Sequence, residues 1–184
     1  MTPRPLRRHL PHLEPRHALV LAPMIAAAGC AGFLMFRVSE PIAEQRISAS
    51  QLGPVLEPMT LALDLDAETA ARDTGPARHV YLETLTLTVT PTAEPAGDVD
   101  DLAFLQGAEI FIESALPQSN LPRQRVATLA PVAPGDRTAT FLADDVDIIE
   151  YAREGARLSA NAVGTLPPDD VTFDGQYTLV LDAI

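Results

Sequence analysis

The 184-residue chain contains no lysine and no tryptophan, and it has a single cysteine, Cys30. One thiol cannot form a disulfide framework, so the fold depends on its hydrophobic core. Paired cysteines and the core tryptophan that mark immunoglobulin domains are both missing. Aromatic residues make up only 5% of the chain, too few for the sugar stacking that a glycosidase working through paired carboxylates demands. The histidines stand at positions 9, 12, 17 and 79, three of them in the N-terminal segment. One remaining histidine and one cysteine cannot build a His/Cys zinc site or a Cys-His nucleophilic pair. His79 could arithmetically serve a Ser-His-Asp triad, but no Gly-x-Ser-x-Gly elbow presents a serine, and its expected place is half-exposed at the start of a strand. Glycine-rich dinucleotide and phosphate-loop motifs are missing as well.

What is present is strong negative charge. Asp and Glu number 25 against 13 arginines, a formal net charge of −12. Such a surface repels phosphate backbones, which disfavours nucleic acid as a partner. The 47% hydrophobic content is ordinary for a packed globular body, and the length suits one domain with an N-terminal extension.

That extension is patterned. Residues 1–17 hold Arg4, Arg7, Arg8 and Arg16 against Glu14 alone, and from Ala18 to Phe36 the chain runs nineteen residues without a charge. A basic flank followed by an apolar run is what translocation machinery recognises. The only cysteine closes the segment Ala27-Ala28-Gly29-Cys30, which resembles the lipobox of bacterial lipoproteins, with alanine standing where the family usually has leucine. The resemblance implies removal of residues 1–29, a covalent lipid on Cys30, and attachment of the body to the cell envelope. Ala31, in place of aspartate two positions into the mature chain, implies by the same analogy the outer membrane, with the body in the periplasm or at the surface. An uncleaved signal anchor is the alternative, because nineteen residues at 1.5 Å each span about 28 Å, close to the ~30 Å of a bilayer core. Since residues 1–29 carry four arginines and one glutamate, the rest of the chain holds a net charge of −15.

Residues 30–58 mix prolines, charges and small polar residues and read as a tether; residues 59–184 read as the folded domain. Period-two alternation marks a strand at Met59–Leu65 and a clearer one at Val80–Thr90, where Leu85, Leu87 and Val89 face inward and threonines face outward. Further strands are expected at 108–113, 124–129, 137–142, 157–165 and 171–181, with Gly175 at a bulge or a close approach. Short helices are expected at 67–72, 102–106 and 147–154, the last capped by Asp147 and ended by Gly155. About seven strands without long intervening helices predict an all-β, antiparallel β-sandwich. In outline it resembles immunoglobulin-like and plant stress-protein-like sandwiches.

Three acidic loops supply the remaining candidate chemistry: Asp98, Asp100 and Asp101; Asp144, Asp145 and Asp147; Asp169, Asp170 and Asp174. Carboxylates from turns suit calcium, which accepts six to eight oxygens, although none of these loops has the EF-hand spacing. The expected function is that of a non-catalytic envelope lipoprotein that binds or spaces a protein partner. No cofactor is expected beyond the lipid on Cys30, and calcium-stabilised adhesion or scaffolding is the alternative.

Overall fold

The computed structural model describes residues 34–50, 58–61, 63–91 and 100–184; the N-terminal segment with Cys30, and Asp98, lie outside them. In chain order the elements are β1 (Leu34–Ile47), β2 (Met59–Thr60), α1 (Leu65–Ala70), β3 (Ala77–Val89), β4 (Leu105–Ser114), β5 (Gln124–Leu129), β6 (Thr138–Ala143), α2 (Ile149–Glu154), β7 (Ala156–Gly164) and β8 (Val171–Ala183). The protein is all-β and antiparallel. Among the described residues, eight strands form one sheet in the order β1-β8-β3-β6-β5-β4-β7-β2. β6 joins its two halves: Thr138–Phe141 pair with β3, and Leu142 and Ala143 pair with β5. The sheet curls so that the inward faces of both halves share one core, which takes in Val80, Leu85 and Leu87 of β3, Ile110 and Ile112 of β4, and Phe173, Tyr177 and Leu179 of β8.

Alternation in the sequence and alternation in burial agree best on β3. Leu85 and Leu87 are fully buried, whereas Thr88 meets Thr138 across the strand pair at 3.3 Å and Thr90 meets Thr172 at 2.7 Å. Branched threonines on the outer pleats match the strand's conformational preference, and their hydroxyls link neighbouring strands. Gly175 sits at a close approach: a Cβ there would lie 3.0 Å from Ile42 Cδ1, Leu87 Cδ2 and the Thr86 carbonyl oxygen.

Three expectations are corrected. Residues 34–47, expected within the apolar run and the tether, form β1, the longest strand, paired along its length with β8. The expected strand at 59–65 shrinks to Met59–Thr60, because the Asp64 carboxylate accepts the Ala67 N–H at 3.0 Å and starts α1 at Leu65. No helix forms at 102–106: Asp101 accepts the N–H groups of Ala103 at 2.9 Å and Gly135 at 2.8 Å, closing a turn from which β4 departs at Leu105. A side chain that satisfies local backbone donors competes with the helical alternative, and here it wins.

Candidate functional site

The one histidine of the described residues is held by an acid. His79, near the start of β3, places Nδ1 2.6 Å from Asp147 Oδ2. The other carboxylate oxygen of Asp147 accepts the N–H groups of Val80 and Ile149, each at 3.1 Å, and Ile148 donates its N–H to the Val80 carbonyl at 2.8 Å. Asp147 thus pins the start of α2 to β3. Burial raises its carboxyl, but the hydrogen bonds from His79, Val80 and Ile149 outweigh that and hold it below the ordinary carboxylate range. With the carboxylate ionised, Nδ1–H is the donor, and the second ring nitrogen makes no hydrogen bond among the described residues.

The His79 ring stacks on Tyr81, with centroids 6.1 Å apart and planes 25° apart. Burial, and then the charges of Asp147, Asp145 and Asp182, raise the Tyr81 phenol. Tyr81 is therefore a neutral hydroxyl at physiological pH rather than an activated nucleophile. Beside the histidine an open cleft of about 430 Å³ is lined by Pro76, Ala77, Arg78, His79, Arg153 and Ile184. It adjoins a second of about 460 Å³ between α1 and α2, lined in part by Asp64, Asp66 and Arg153. Arg153 spans this region, donating to Glu150 at 2.6 Å and to the Ala77 carbonyl at 3.3 Å. Chemically the arrangement is an oriented imidazole beside a shallow, mixed-charge surface. Among the described residues no hydroxyl is hydrogen-bonded to the ring, so the geometry supplies an acid-base pair without a nucleophile.

The acidic loops are spread over different parts of the fold. Asp144 accepts from Arg125 Nε at 2.7 Å, and the same arginine reaches Glu109 at 3.0 Å. Asp145 adopts a left-handed backbone with φ of 52° in the turn before α2. Asp170 takes the Arg46 guanidinium and the Ala49 N–H; the hydrogen bond from Arg46 is the chief cause that lowers its carboxyl. Asp100 is buried, with its carbonyl accepting from Arg137 at 3.0 Å, and Asp101 closes the turn described above. Asp169 keeps one buried carboxylate oxygen without a hydrogen-bond partner. Asp174 lines a shallow groove with Thr86, Thr88 and Gln176. Among the described residues no group of three or more His, Cys, Asp or Glu side chains is placed to share a metal ion. Sequence reading singled out Asp147 as a cap and as a loop acid; its bond to His79, 68 positions away, leaves no local signal.

No protein-family model matches the chain, and a comparison with curated proteins likewise gives no match.

Proposed function

We propose that this chain is a non-catalytic bacterial envelope lipoprotein: Cys30 carries the lipid, and the all-β body serves a protein partner at the membrane. The observation that carries the reading is the lipobox-like Ala27-Ala28-Gly29-Cys30, set behind a basic flank and an apolar run. The start of β1 lends support against an uncleaved anchor. With Leu34, Met35 and Phe36 in the sheet, the uncharged run keeps Ala18 to Phe33, sixteen residues or about 24 Å as a helix, which is short of the ~30 Å hydrocarbon thickness. A non-catalytic role is supported by the use of the one body histidine, which ties Asp147 and α2 to β3. The body's charge of −15 favours a partner with a basic surface.

Metabolic labelling with a radioactive fatty acid tests this. The wild-type chain takes up label and Cys30→Ser does not; equal labelling of the two would remove the reading. In the same experiment, Cys30→Ser accumulates as the uncleaved precursor.

A further inference from the structure

We infer that the end of the sheet where β1 begins stands against the phospholipid surface, with Leu34, Met35 and Ile184 as its apolar contact. This rests on the proposed acylation of Cys30 and deepens it from attachment to orientation. Four residue steps separate Cys30 from Leu34, at most about 14 Å of fully extended chain. β1 itself has fourteen residues, roughly 46 Å at the rise of a strand. The tether is about a third of that length, so the near end of β1 is confined to the interface while the far end is not.

The chemistry of that end fits the location. Leu34 is 51% exposed, Met35 69% and Ile184 43%. Leu34 pairs with Ala183, which sets Ile184 one residue beyond it at the same end. These three are among the seven large apolar side chains exposed in the described residues. Exposed apolar residues gathered within reach of an acyl chain are suited to the boundary between headgroups and hydrocarbon. Basic side chains border that end as well, since Arg78 and Arg153 line the cleft that Ile184 shares. Arg72, whose guanidinium lies 4.4 Å from the centre of the Phe36 ring, is already paired with Glu68 at 2.5 Å, and Asp182 stands opposite Met35 in the ladder. The three apolar side chains need no anionic headgroup, so the contact forms on zwitterionic lipid.

The absence of tryptophan makes the test direct. Full-length Met35→Trp and, as the control further along the same strand, Ala43→Trp are expressed, processed and reconstituted in phosphatidylcholine vesicles with or without brominated acyl chains. Positions 35 and 43 are both exposed and lie about 26 Å apart along the strand. The expected result is a blue shift and loss of emission in brominated vesicles for M35W, and neither for A43W. An unquenched M35W on a chain whose mass shows Cys30 acylated overturns the orientation and leaves the lipoprotein reading standing. Equal quenching of both variants overturns it too, since the body would then lie flat. A soluble chain with unmodified Cys30 removes the proposed function itself.

Discussion

Among single residues, Asp147 has the widest reach. One carboxylate orients His79, accepts two backbone N–H groups and fixes where α2 leaves the sheet. Replacing it with alanine leaves those donors without their acceptor, and the expected loss is about 1–3 kcal/mol, measured as a lowered midpoint in urea or on heating. The pH dependence follows from its lowered carboxyl. A depressed carboxyl stabilises the fold fully above its unfolded value, near 3.8, and that contribution fades as pH falls through the lower folded value. Glu83 and Asp170, lowered chiefly by hydrogen bonds from Arg37 and Arg46, act in the same direction. The wild type should therefore lose stability as pH falls below about 4, and Asp147→Asn should start lower at neutral pH and fall less across that window. Gly175 is a second informative position. A valine there collides with Ile42, Leu87 and the Thr86 carbonyl, with an expected cost of about 1–3 kcal/mol; an unchanged melting midpoint would mean that β1 and β3 can separate to accommodate it. The half-exposed place of His79 and the special character of Gly175 can be read from their neighbours in the chain. The His79–Asp147 bond cannot, because it joins two segments only after the sheet has formed.

Among the elements, β1 shows why alternation can hide. Its core-facing positions include Val38, Ile42 and Ile47, all buried, but Glu40 shares the parity of Val38 and Ile42, and a bulge between Ile42 and Gln45 moves the inward set by one residue, which brings Ile47 inward. Pro41 adds a signal that argues for a linker, yet proline is tolerated on a strand at the margin of a sheet, where its missing donor breaks no interior ladder. β1 is last in the strand order on that side, and its proline, bulge and alternating charges blunt an edge that would otherwise template aggregation. A tether and a strand predict different behaviour. Ile42 is 2% exposed, so Ile42→Ala should cost about 2–4 kcal/mol by leaving a cavity against β8, whereas in a tether it would cost nothing; chemical denaturation separates the two. The segments at 61–65 and 102–106 carry the converse lesson. Leucines spaced by two at 61, 63 and 65 still pack on the core, but capping by Asp64 turns the chain into a helix before a ladder can form, and Asp101 turns the other segment without a helix.

For the whole molecule, the two halves of the curled sheet share one core, and β6 hydrogen-bonds to both. Among the described residues, several acids of these loops have separate partners. Asp144 and Asp170 serve arginines, Asp101 and Asp147 serve backbone donors, and the three loops belong to different connections. Calcium or a chelator is accordingly expected to leave the melting midpoint unchanged, because an ion stabilises the fold only where the folded state offers it a site that the unfolded chain lacks. A rise in midpoint with calcium would instead support the scaffold alternative. From the sequence alone come the all-β class, most strand positions and the inward leucines of β3, because period-two burial is a local pattern. Tertiary structure decided that β1 belongs to the body, that one sheet closes over the core and that Asp147 holds His79. Each of those depends on pairing between residues far apart in the chain, where partner strands and not neighbouring residues determine which polar groups are satisfied.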